Sequence, residues 1–191
     1  MRTLKMIRLA AMMTLAVTAL MGADSASATT TTLEVGGFKK NESVEIEASL
    51  KTGTDTTFQL TTGAHFDTCT GSEIKVATES PYSGITGPVG GEVSTLTISN
   101  CVRKAEVFSP GTLTIERIPG TTDGTVVSSG AEWKVSGTIC KTGEGTDLGI
   151  LTGVASGHAT LHVNVVVNCG FSVVMKGTYT ITSPTGLGVD E

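Results

Sequence analysis

Apolar and polar residues alternate in short stretches along most of the chain. In SVEIEASL, Val44, Ile46, Ala48 and Leu50 fall on one side and Glu45, Glu47 and Ser49 on the other, as a strand with one wet face requires. In GTLTIERI, Leu113, Ile115 and Arg117 alternate with Thr112, Thr114 and Glu116, and in EWKVSGTI, Trp133, Val135 and Ile139 share a side with Gly137. No window carries a helical period. Turn signals (SPYSG, SPG, TTDG, KTGEG) separate the runs at short spacings, the pattern of an antiparallel sandwich or barrel. The alternation predicts strands near residues 31–35, 43–50, 56–62, 64–69, 73–79, 92–101, 105–109, 111–118, 124–129, 131–140, 147–154, 158–168 and 171–182. The predicted class is all-β, with the choice between sandwich and barrel open.

Two of these runs end alike, TLTISNC at Asn100-Cys101 and TLHVNVVVNC at Asn168-Cys169. The likeness is part of a longer echo. TTGAHFDTC (61–69) parallels SSGAEWKVSGTIC (128–140), and GTLTI (111–115) parallels GTYTI (177–181). Residues 56–118 and 124–184 therefore read as two copies of one β unit, too few for a solenoid, so the halves are expected to pack around one core.

Cysteine usage sharpens this picture. Cys69, Cys101, Cys140 and Cys169 are the only four, and the closest two lie 29 residues apart, which suits disulfides better than a metal site built from closely spaced ligands. Of the three possible connectivities the duplication selects Cys69–Cys101 and Cys140–Cys169. Cys169 shares a strand face with Leu161, Val163, Val165 and Val167, so its bridge is expected to be buried. Cys101 shares its face with Thr97 and Ser99, so the first bridge is expected to be wetter.

The beginning of the chain has another character. MRTLKMIR carries three positive charges, an uncharged apolar run follows, and ASA supplies small residues; together these read as a secretory signal peptide cut after Ala28. The apolar run is short for a permanent anchor. Residues 29–191 then form a single all-β domain with 10 basic and 17 acidic residues, and no basic cluster larger than Lys39-Lys40 or Arg103-Lys104. Such a balance disfavours nucleic acid and anionic lipid surfaces as partners. Eight scattered aromatics without girdles argue against an outer-membrane barrel. The expected location is extracellular or cell-wall associated, where disulfides form.

Candidate chemistry is sparse. His158 and His162 have the spacing that binds zinc on a helix, but on a strand it separates them by about 13 Å. No Gly-x-Ser-x-Gly elbow is present, and Glu45, Glu47 and Glu132 read as wet strand faces rather than a glycosidase pair. Asn41-Glu42-Ser43 matches a glycosylation acceptor, and KTGEGTD (141–147) lacks calcium-loop spacing and reads as a turn. The uncharged run HVNVVVNCGFSVVM suits a buried central strand pair or, alternatively, strand pairing between chains. No catalytic residue, cofactor or metal is assigned.

The stretch from TLEVGG through NCG to KGTYTITSPTGLGV resembles small exported four-cysteine, Thr/Gly-rich β proteins of actinobacteria. The order Cys, Asn-Cys, Cys, Asn-Cys is also similar to that of exported activators of alkane oxidation. Neither resemblance brings catalytic residues. The expectation is a non-enzymatic extracellular or wall-associated protein with a structural or adhesive role. The alternative is a binding module for a small apolar ligand or a glycan, with a secreted hydrolase third. Expected partners are a cell-wall component, a small ligand or a second copy of the chain.

Overall fold

The structure is a computed structural model and describes residues 30–79 and 87–190; the apolar leader and the expected cut after Ala28 lie outside the described residues. Among them the chain forms fifteen strands and no helix. In order these are β1 (Thr32–Val35), β2 (Phe38–Lys39), β3 (Glu45–Leu50), β4 (Thr56–Leu60), β5 (His65–Thr78), β6 (Val89–Cys101), β7 (Ala105–Ser109) and β8 (Thr112–Arg117). There follow β9 (Gly124–Ser129), β10 (Glu132–Val135), β11 (Thr138–Lys141), β12 (Thr146–Thr152), β13 (Thr160–Asn168), β14 (Ser172–Ser183) and β15 (Leu187–Asp190).

Eight antiparallel strands close into a barrel in the order β3-β5-β6-β8-β9-β12-β13-β14, with β14 returning to β3. Closure removes the exposed edges that an open sheet of this size would carry. Alternation then sorts the side chains: on β13, Leu161, Val163, Val165 and Val167 are buried while His162, Asn164, Val166 and Asn168 face out. The sandwich-or-barrel question is thereby decided in favour of the barrel.

A separate sheet, β15-β1-β2, caps one end. Leu33, Leu187 and Val189 are buried there. The cap is tied on by Val189 N–H to the Thr122 carbonyl (3.0 Å), Val154 N–H to the Leu187 carbonyl (2.9 Å) and Arg117 N–H to the Thr31 hydroxyl (3.2 Å). Both disulfides lie toward the opposite end. Cys69–Cys101 joins directly opposed residues of β5 and β6, and Cys140–Cys169 joins β11 to the residue following β13. These are the two expected pairs. Cys140 and Cys169 are buried, and Cys101 is half-buried.

β3 and β4 sit one above the other beside β5, and β9 and β10 sit beside β12 and β11. β14 runs along both β4 and β3, while β8 runs along β9 and β7 along β10.

Three local differences from the sequence reading have physical causes. The segments near 64–69 and 73–79 are one strand, because Gly71 stays extended where a Cβ would run into the Ser99 hydroxyl. The segment near 131–140 is two strands, folded at Ser136 (φ 52°) and Gly137 (φ 80°), the two-residue positive-φ turn of a tight hairpin. Ile139 thus faces out, opposite Lys134, and not inward with Trp133 and Val135. Finally, β2 has two residues and β15 four, too few to stand out in the sequence; β15 is defined by its pairing with β1 from the other end of the described chain.

Candidate binding site

Two pairs of neighbouring strands differ in how far they run together. β13 and β14 pair without interruption from Thr160↔Thr180 to Asn168↔Ser172. β6 and β8 pair only from Val89↔Ile115 to Glu92↔Thr112, followed by a bond from Val93 N–H to the Gly111 carbonyl (3.2 Å). Beyond that point β6 pairs with β5 alone, and β7 pairs with β10 alone. From Val93 and Gly111 down to the turn at residues 102–104, β6 and β7 therefore run without ladder pairing, although they stay close to each other; this unpaired stretch is the opening in the barrel wall.

Local sequence explains the parting. Pro110 has no N–H to give a ladder. Gly111 follows at φ 73° against the backbone of Ser129 and Ala131, a position no side chain could occupy. This break separates β7 from β8 and sends β7 onto β10, whereas β14 passes its own Gly177 without a break.

Behind the opening lies an apolar cavity of about 50 Å³, room for a few water-sized spheres. Leu96 and Ile98 of β6, Pro110 and Leu113 line it on the side of the opening, and Trp133, Leu148, Val163 and Met175 line it from the second half. A second cavity of about 40 Å³ lies toward the cap and shares Ile74 and Leu113 with the first. Ile74, Leu96, Ile98, Val107, Leu113 and Met175 are only partly buried, unlike the fully covered inner face of β13.

Polar groups in this region are few and placed in two sets. The Tyr179 hydroxyl, buried among apolar strands, donates to Ser72 Oγ (3.2 Å) and lies 3.2 Å from Thr56 Oγ1; Ser72 Oγ in turn donates to the Thr97 carbonyl (2.8 Å). Burial pushes the Tyr179 phenol above its ordinary pKa, and the bonds to Ser72 and Thr56 partly oppose this. Across the cavity, Ser128 Oγ and Thr142 Oγ1 are 3.2 Å apart, and Thr142 Oγ1 accepts from Ala131 N–H (3.0 Å). Trp133 is 3% exposed and its indole Nε1 has no partner. A buried donor in that state is costly.

The residues singled out in the sequence lie elsewhere. His158 precedes β13 in a loop, with Nδ1 2.8 Å from the Ile181 carbonyl, and His162 is on the outer face of β13. His65 Nε2 is 2.8 Å from Thr68 Oγ1. Glu47 and Glu73 hold Lys75 from outside the barrel (2.8 and 3.3 Å) and raise its pKa, and Glu132 pairs with Lys141 at 2.9 Å. Sequence reasoning did not find the opening. Its one signal, Ser109-Pro110-Gly111, reads in the sequence only as a turn. Comparison with family models, curated proteins and solved structures returned no match to this chain.

Proposed function

We propose that this chain is an exported, non-enzymatic binding barrel for a small apolar ligand, taken up through the opening between β6 and β7. The observation that carries the reading is the set of inward-facing apolar side chains, Leu96, Ile98 and Leu113 among them, left partly exposed around an apolar cavity beside the stretch where β6 and β7 do not pair. An eight-stranded barrel is just wide enough either to be filled by side chains or to hold one small ligand. Two features support export: the basic, apolar and small-residue succession at the start of the sequence and the two disulfides, which suit an oxidising compartment.

The test uses Trp133, the sole tryptophan of the sequence and a lining residue of the cavity. A neutral ω-bromoalkanol that enters the cavity brings its heavy atom against the indole and quenches the fluorescence saturably. Quenching that is linear in probe concentration, with no saturation and no dependence on chain length, would remove the reading.

A structural or adhesive role is the second reading. It is favoured by β7, an edge strand of the sheet with Phe108 half-exposed on it, since such an edge can pair with another chain. Light scattering across a concentration series separates the two: growth into large species supports assembly, and a constant monomer mass removes it.

A further inference from the structure

The turn that closes the lower end of the opening carries Val102, Arg103 and Lys104, all exposed. After the expected cut, the chain is acidic and has only two places where basic residues adjoin, Lys39-Lys40 and Arg103-Lys104. In the first, Lys39 pairs with Asp190 at 3.1 Å. In the second, among the described residues neither side chain enters a salt bridge. The nearest acidic groups along the chain and across it are otherwise engaged or face away. Asp67 is buried and bonded to Ser136, and Glu106 lies on the outer side of β7, opposite Lys134. A pair of available cations thus stands at the mouth of an apolar passage.

The unpaired stretch has a definite extent. β7 rises from this turn to Val107, which is paired with Trp133, and four strand residues span roughly 13 Å. Along the opposite lip, Ile98 and Leu96 present partly exposed apolar surface. Charge at one end and a grease-lined slot beyond it match a molecule with the same division. Burying the charged end beside Trp133 would strip it of water without a counter-ion, so the orientation is fixed as well: head at the turn, tail inward.

Resting on the binding reading above, we infer that the ligand is an anionic amphiphile, a medium- or long-chain carboxylate whose head is held by Arg103 and Lys104 while its tail lies between β6 and β7 with its end near Trp133. The basic turn also offers a local attraction in a chain whose overall charge repels anions, so capture is expected to weaken as salt rises.

The experiment compares an ω-bromoalkanoate with the alcohol of equal length, each kept below the concentration at which it self-associates. Quenching of Trp133 is read in the wild-type chain and in R103Q/K104Q. The expected result is that the carboxylate binds the wild type about tenfold or more tightly than the alcohol, that R103Q/K104Q loses this preference, and that a 2-bromoalkanoate, with its heavy atom at the head, quenches far less. Acid and alcohol binding alike in both proteins would overturn the head-group assignment while leaving the cavity reading intact. Stronger quenching by the 2-bromo isomer would overturn the orientation, and with it the role of the turn. Saturable quenching by none of the probes would overturn both the inference and the function beneath it.

Discussion

The hydroxyl of Ser136, at the tip of the β10–β11 hairpin, donates to Oδ2 of the buried Asp67 on β5, 69 residues away in sequence. Asp67 Oδ1 accepts Thr68 N–H at 2.7 Å. This contact ties the β10–β11 hairpin, and β7 paired to it, to β5. Replacing Ser136 by Ala removes only the hydroxyl and keeps the positive-φ cost that serine already bears. The buried carboxyl group then lacks one of its donors, and a loss of about 1–3 kcal/mol is expected in urea unfolding. S136G is expected to cost about 1 kcal/mol less than S136A, because glycine relieves the left-handed strain that serine and alanine share. Equal stability of S136A and wild type would show that the latch contributes nothing.

The two disulfides are expected to differ in reactivity while contributing alike. They close loops of similar length, with separations of 32 and 29 residues, and each contributes about 3–4 kcal/mol in the chain-entropy model. Cys140 and Cys169 are both buried, whereas Cys101 is half-exposed beside the opening. Exchange requires access to sulfur, so mild reductant applied to the folded protein should open Cys69–Cys101 first. Mass mapping of alkylated cysteines at partial reduction reads the order directly, and the reverse order would contradict the assigned burial.

How much of this was legible beforehand divides along the range of the interactions. Alternation marked β3, β8, β13 and most of the other strands, because period two is written into local sequence. The disulfide pairing followed from the echo around Asn100-Cys101 and Asn168-Cys169. What stayed hidden depended on partners far apart in the chain. The unbroken run of β5 through Gly71 requires Ser99 to lie against it, and β15 exists because Leu187 and Val189 meet β1 and Thr122. The opening between β6 and β7 was least legible of all, since it consists of pairings that these two strands do not make.

Tyr179 predicts an alkaline limb in the stability profile. Its pKa is raised in the folded state by burial, so above the ordinary tyrosine value the unfolded chain gives up its proton first. The stabilisation is then complete below about pH 10 and is lost as pH climbs through the folded value. Y179F has no proton to lose and should flatten this limb, while giving up the bonds to Ser72 and Thr56 at neutral pH. Parallel alkaline slopes for the two proteins would place the titration elsewhere.

Gly149 is expected to be the least replaceable glycine of the barrel wall. It holds φ 142°, and a Cβ there would run into the carbonyl of His162 on the adjacent strand. G149A therefore forces β12 away from β13, with an expected loss above about 4 kcal/mol. Gly63, at φ 89° with open space around it, supplies the control: G63A should cost only about 1–2 kcal/mol of backbone strain.

Native-state hydrogen exchange tests the opening without any ligand. β13 is paired to β14 along its whole length, Thr160 to Asn168, and to β12 at Thr160–Val163, so its amides directed toward β14 should open only with global unfolding. β6 has two neighbours at Val89–Glu92 but only β5 beyond Val93. Along Ser94–Asn100, the amides directed toward β5 should be protected and those directed toward β7 should exchange by local routes, orders of magnitude faster. The contrast is expected within one continuous strand, which excludes fraying as its cause, because Cys101 pins the far end to Cys69. Uniform protection along β6 would mean that the wall is closed in solution, and the route proposed for the ligand would be lost with it. Slowed exchange of the same amides in the presence of an ω-bromoalkanoate, with β13 unchanged, would place the ligand between β6 and β7.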